Sequence, residues 1–323
     1  MTRQELNLAI YEGTADRGLC QPRLETWIGD RMRCKTMPDR FEIYDELRCS
    51  IRYAASAGIV HKRSGDDVVT TEEQHPDHSI STVRTPSGEI RTVHRDLCHE
   101  GQRVNHRITE YPVTTVADLR VAIDLVERQE FSADVGAFES AAAAMGHRGE
   151  PTVFLSSSCF TELIKNWCEL ENAYYLLHDH RDAVEEYLEA CDRRDDRLID
   201  AALGLPCHVF NLGDHATNEF TPPPILKRYL APRWQRISDR LHAAGRYVHS
   251  HWYGNSKLML PYLQDTRLDA VESLTPEPQC DMTLDEIQDT VGDMVVLDLI
   301  PAIFFLPAYP PTHYRTCSIS LAE

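Results

Sequence analysis

The chain has 323 residues, enough for one large α/β barrel or two smaller domains, and its 42% hydrophobic and 26% charged composition is that of a globular protein in water. A net charge of −18 argues against nucleic acid and acidic membranes as partners, and no apolar run approaches the roughly 20 residues that span a bilayer. The start, Met-Thr-Arg-Gln-Glu, has no apolar core behind a basic end, so no secretory signal is read and the expected location is cytoplasmic. The ten cysteines are scattered without a C-x-x-C pair, which suggests reduced thiols rather than a disulfide framework or a zinc ribbon; Cys280 and Cys317 stand apart as thiolate candidates.

In chain order, Met1 to about Ser50 reads as a helix start and a loop through Gln21-Pro22-Arg23 and Trp27, packing across a larger body. Residues 64–95 are rich in Thr, Ser, Asp and His. Within them Thr82–Val93 alternates around Pro-Ser-Gly, which predicts a β-hairpin excursion. Thr114 or Thr115 caps a helix from Val116 to about Arg128, with Leu119, Ile123 and Val126 at helical spacing. Beyond Gly149 the pattern becomes regular. Strands are expected at Thr152–Ser156, Cys207–Leu212, Tyr247–His251, Ala270–Ser273 and Met294–Leu299. Helices are expected at Glu162–Leu177, Asp179–Ala202, Pro224–Ala244, Ser256–Gln264 and Leu284–Val291. Repeated strand–helix units imply a parallel sheet, and no repeat, low-complexity tract or Gly/Ser linker divides this half.

The stretch His249-Ser-His251-Trp-Tyr253-Gly254-Asn255 carries the strongest chemical signal. Side chains alternate along a strand, so His249 and His251 project from one face and can converge on one ligand at the strand's end, a metal or an anion. Trp252 falls on the opposite face and reads as packing. Asp214, in Gly-Asp-His after an apolar strand, is placed either to orient substrate and accept a proton or to brace its loop.

Taken in order, Asn211-Leu-Gly-Asp214, Leu230-Ala-Pro232, His251-Trp-Tyr-Gly-Asn255, Glu272-Ser-Leu-Thr-Pro-Glu277 and Ile300-Pro-Ala-Ile-Phe-Phe-Leu-Pro307 resemble the uroporphyrinogen decarboxylase superfamily. The similarity runs from about Pro151 to Pro307, with a weaker opener from Asp16-Arg17 through Trp27. The resemblance implies a (β/α)8 TIM barrel as a single domain over 1–323: an N-terminal segment 1–110 with the hairpin excursion, barrel units over 111–307, and an atypical tail 308–323. It also implies that the functional residues lie at the carboxyl ends of the strands. Because the tail is short and His313 is a doubtful match for the late histidine of the decarboxylases, the barrel is expected to be incomplete at its C-terminus. Its open edge would then be covered by the N-terminal segment or by a partner subunit, as in a homodimer.

The leading expectation is a methyltransferase-like enzyme acting on a small molecule at the barrel mouth. Asp214, His251 and Tyr253 are its catalytic candidates, and Arg17, Arg23, Asn211 and Asn255 its substrate-binding candidates. In the methyltransferase branch the resemblance implies a zinc site and a corrinoid-protein partner. His251 matches the family's histidine, but Tyr253 stands where the thiolate ligand belongs, which leaves His249, His251 and Glu272 as an N/N/O set. The alternatives are a metal-free uroporphyrinogen decarboxylase of porphyrin biosynthesis, which would need an arginine cluster for its polyanionic substrate, and a degenerate, non-catalytic binding protein. A metal-dependent hydrolase ranks last, because such enzymes usually carry His-x-His on the first strand.

Overall fold

The computed structural model describes residues 1–22, 40–52, 58–63, 65–99 and 102–305. The chain divides into two compact units. Val60–Ser132 with Ser157–Ala201 form one, and Met1–Ile59, Ala133–Ser156 and Ala202–Glu323 form the other.

In the first of these, strands β1 (Ile59–Arg63), β2 (Val69–Gln74), β3 (His78–Thr85), β4 (Gly88–His99), β5 (Gln102–Glu110) and β6 (Gln129–Ala133) make a four-stranded antiparallel sheet in the order β2-β3-β4-β5 and a β1-β6 ribbon. The predicted hairpin is β3-β4, with Thr85 opposite Gly88 across Pro86-Ser87. Gly88 sits at φ 141, a conformation that L side chains rarely adopt. The excursion is larger than expected because β2, exposed throughout, and β5, polar in sequence, carry no apolar alternation to announce them. The predicted helix runs Val116–Glu127. Thr115 is its cap, and the Asp118 side chain returns to the Thr115 backbone N–H. Its buried Val121 and Leu125 pack with Ile90 of β4. The expected long helix Glu162–Leu177 is broken: a π-helical segment, Leu163–Cys168, leads to Glu169 at φ 65, and Leu170–Asp179 begins anew.

The other unit contains β7 (Thr152–Leu155), β8 (Val209–Leu212), β9 (Tyr247–His251), β10 (Ala270–Glu272) and β11 (Val295–Leu297), all parallel and in consecutive order. The predicted parallel sheet is therefore present. Among the described residues it has five strands, and its outer strands β7 and β11 do not pair with each other. The inner strands are buried on both faces, as parallel strands must be when helices cover them; all four residues of β8, Val-Phe-Asn-Leu, are inside. The helix Ala231–Ala243 buries Trp234, Ile237 and Leu241, spaced along one face, and has Pro232 in its first turn. Leu284–Val291 matches its predicted bounds because Thr283 and Glu286 form a capping box and Gly292, at φ 57, ends it. The expected helix Ser256–Gln264 is instead a 3-10 turn, Lys257–Tyr262, with Pro261 inside it and unable to donate to a regular helix. No helix among the described residues is long and apolar enough to cross a membrane.

Leu212 is fully buried on β8. Truncating it in Leu212→Ala is expected to cost about 2–5 kcal/mol by urea denaturation, since the packed strand cannot collapse into the space left.

Candidate functional site

The register of the parallel sheet decides which side chains meet. Asn211 lies opposite His249, and His251 opposite Glu272, so four polar residues from three adjacent strands share one face at the strands' carboxyl ends. Asn211, His249 and Glu272 are almost wholly buried, and the His251 side chain is 14% exposed.

Glu272 is the centre of this group. Its Oε2 accepts from Asn211 Nδ2 at 2.9 Å and from His251 Nδ1 at 3.2 Å, while Oε1 receives the Arg52 guanidinium. Arg52 also forks onto both carboxylate oxygens of Asp298 at 3.1 Å, and its Nε donates to Gln21 at 2.8 Å. Burial pushes the Glu272 carboxyl up, but the His251 hydrogen bond and the Arg52 charge outweigh it and hold the group well below the usual carboxylate range.

Because a carboxylate only accepts, Glu272 fixes the hydrogens around it. One hydrogen of the Asn211 amide points at Glu272, and the other reaches His249 Nε2 at 2.7 Å, which must therefore accept. His249 carries its proton on Nδ1, 3.1 Å from the Tyr11 hydroxyl. Burial drives His249 down to about 3, so its ring is neutral. On His251 the proton sits on Nδ1 toward Glu272, and Nε2 has no hydrogen-bond partner among the described residues. Around that ring stand His215, edge-on at 5.0 Å between centroids, and Tyr253, nearly parallel at 6.1 Å and half exposed.

The other candidates make different contacts. Asp214 is fully buried and accepts the Trp234 indole N–H at 2.7 Å, with Arg233 at 3.7 Å, an arrangement that braces the loop after β8. Asn255 is exposed and donates to Glu219 at 2.9 Å, and Arg17 is exposed. Trp252 is buried, as read from its place on the opposite face. Cys280 is a buried free thiol whose pKa burial raises. Arg23, His313 and Cys317 lie outside the described residues.

Three members of the cluster escape sequence reasoning. Asp298 directly follows β11, the same strand-end position as the other candidates, but the expected strand Met294–Leu299 absorbs it. Arg52 and Tyr11 reach the cluster from segments with no motif.

The residues proposed for zinc do not fit that ion as they stand. Both ring nitrogens of His249 are engaged, and Glu272 is committed to Arg52, Asn211 and His251. Among the described residues no group of three His, Cys, Asp or Glu side chains is arranged to hold a metal.

No protein-family profile matches this sequence, and no curated protein matches it. Among solved structures, the chain is similar to a methyltransferase from Methanosarcina mazei, with a TM-score of 0.54 and 10% identity over 98% of this chain and 88% of that one. At that identity the likeness is one of fold, and it spans both units rather than the Pro151–Pro307 stretch alone.

Two outcomes follow from these charges. A histidine near 6.5 in the unfolded chain but about 3 when folded contributes stability that is complete above about pH 6.5 and lost toward pH 3, at up to about 1.4 kcal/mol per pH unit. The depressed Glu272 carboxyl acts in the same sense below its unfolded value of about 4.3. His249→Gln is therefore expected to flatten the fall in urea midpoint between about pH 6.5 and 4.5, and an unchanged slope would refute the assignment. Arg52→Met strands two carboxylates and is expected to cost about 3–5 kcal/mol at neutral pH in the same assay.

Proposed function

We propose that this chain is a methyltransferase-like enzyme of the uroporphyrinogen decarboxylase superfamily, acting on a small molecule at the carboxyl ends of its parallel strands. The five strands are read as part of a (β/α)8 barrel of that type. The observation that carries the reading is the His251–Glu272 pair: a buried carboxylate holds one imidazole nitrogen, and the other has no hydrogen-bond partner among the described residues, on a side chain that is 14% exposed. A fold shared with a methyltransferase supports the class of reaction.

In this reading His251 Nε2 takes the proton from the acceptor, a thiol, hydroxyl or amine, as the acceptor's bond to the methyl carbon forms and the donor–methyl bond breaks, its electrons staying with the donor. Glu272 stabilises the imidazolium without accepting its proton, because the shell around it keeps it ionised. Asn211 and Arg52 act through Glu272. Tyr253 and His215 flank the His251 ring and would contact substrate. No step uses zinc. The decarboxylase alternative gains nothing from Arg52, which is held by two carboxylates and presents no net cation for a polyanion.

The test uses purified protein with methylcobalamin as donor and a panel of small thiols as acceptors, following donor demethylation by absorbance and product by mass spectrometry. His251→Gln is expected to lower turnover about 10²–10⁴-fold while leaving the urea midpoint near the wild-type value. Turnover unaffected by His251→Gln would remove the base role. Carbon dioxide release from uroporphyrinogen, with no methyl transfer, would replace the reading by the decarboxylase one.

A further inference from the structure

Two thiols face each other beside the Arg52 segment. Cys20 Sγ and Cys49 Sγ are 3.3 Å apart, and they sit on segments already joined by a backbone hydrogen bond from Ser50 N to the Cys20 carbonyl at 2.8 Å. Cys20 is exposed, whereas Cys49 is buried against Ile43, Tyr44, Ile51 and Met145. The neighbours of the pair lead straight to the candidate site: Gln21, next to Cys20, accepts from Arg52 Nε at 2.8 Å, and Arg52, three residues past Cys49, binds Glu272 and Asp298.

We propose that Cys20 and Cys49 form a reversible disulfide, a modification site that fastens the Gln21 segment to the Arg52 segment. The sulfurs need to approach by little more than an ångström to reach the bonded separation of about 2.05 Å. Both segments already run side by side, so closure asks for side-chain rotation more than backbone travel.

The oxidant is a hydroperoxide. Cys20, the accessible member, attacks the terminal peroxide oxygen as a thiolate. The O–O bond breaks, the alcohol or water leaves with a proton, and Cys20 becomes a sulfenic acid. Cys49 loses its proton and attacks Cys20 Sγ, the S–O bond breaks, and hydroxide departs as water. Two thiols are oxidised by two electrons and one peroxide is reduced. Burial and the Cys20 contact push the Cys49 thiol up to about 11, so the accessible Cys20 and not Cys49 is the thiol that attacks the peroxide. A small-molecule thiol reverses the bond by exchange.

The experiment treats the full chain with hydrogen peroxide, blocks remaining thiols with iodoacetamide and digests with trypsin without reduction. Cleavage after Arg17, Arg23, Arg48 and Arg52 gives the peptides Gly18–Arg23 and Cys49–Arg52. They are expected to appear as one species about 2 Da lighter than their sum, and to separate after dithiothreitol. Peroxide is also expected to raise the urea midpoint of wild-type protein and not that of Cys20→Ser, a change at an exposed position that should not disturb folding. Cys20 found joined to Cys34 or another cysteine, or carrying a sulfinate with Cys49 alkylated, would overturn the proposal. So would a wild-type midpoint that peroxide shifts no more than it shifts Cys20→Ser. Neither readout depends on methyl transfer, so failure here is separable from failure of the proposed activity.

Discussion

The candidate site rests on one buried negative charge. An ionised carboxylate is unstable inside a protein unless its solvation is replaced, and Glu272, at the last position of its strand, has that replacement in Arg52, Asn211 and His251. Each donor comes from a different part of the chain. Arg52 precedes the sheet, Asn211 belongs to β8, and His251 ends β9. The charge therefore links segments that the sheet's backbone hydrogen bonds alone would not hold together. Because it can only accept, it also dictates hydrogen positions as far as Tyr11: it turns the Asn211 amide, the amide sets the tautomer of His249, and His249 addresses the Tyr11 hydroxyl.

The parallel arrangement makes this convergence possible. Strands in consecutive order place their carboxyl ends side by side, and in-register pairing brings Asn211 beside His249 and Glu272 beside His251 without any loop having to reach across. Rigid strands, rather than connecting loops, thus set the spacing of the polar groups, which is what an imidazole–carboxylate pair needs in order to keep its alignment. Asp214, one turn of chain beyond its strand, shows the contrast. It lies beyond the paired residues of β8, where it accepts from the Trp234 indole and faces Arg233, contacts that brace a loop.

Much of this is legible in the sequence. Strand β9 carries its own period-two signal, and the residues that share its face, His249 and His251, follow from that period alone. Asn211 and Glu272 are placed by the resemblance, which puts functional residues at the ends of strands. What pattern cannot supply is pairing between distant segments. Arg52 has no periodic context, and nothing in the local sequence says which carboxylate it neutralises. The same limit hides Tyr11 and the β2 and β5 strands, whose side chains are too polar to mark a buried face. Glu169 illustrates a different failure: a non-glycine residue at positive φ breaks a helix whose apolar spacing continues across it, so the break is set by surrounding packing and not by propensity.

The two histidines that made this stretch conspicuous turn out to be chemically unlike. They sit two residues apart on one face of one strand, yet His249 is sealed, with both nitrogens engaged and its ring kept neutral by burial, while His251 has one nitrogen held by Glu272 and a side chain that is 14% exposed. The N/N/O zinc set of His249, His251 and Glu272 would need both as donors. A proton-transfer site needs the opposite, one imidazole that is locked and carries structure, and one that is oriented by a carboxylate and remains accessible. The position of Glu272 imposes that division, since its second oxygen lies within reach of His251 Nδ1 directly but reaches His249 only through the Asn211 amide. His-x-His at a strand end is thus ambiguous between ligand pair and base-plus-scaffold, and the residue opposite the second histidine in the neighbouring strand bears on that choice.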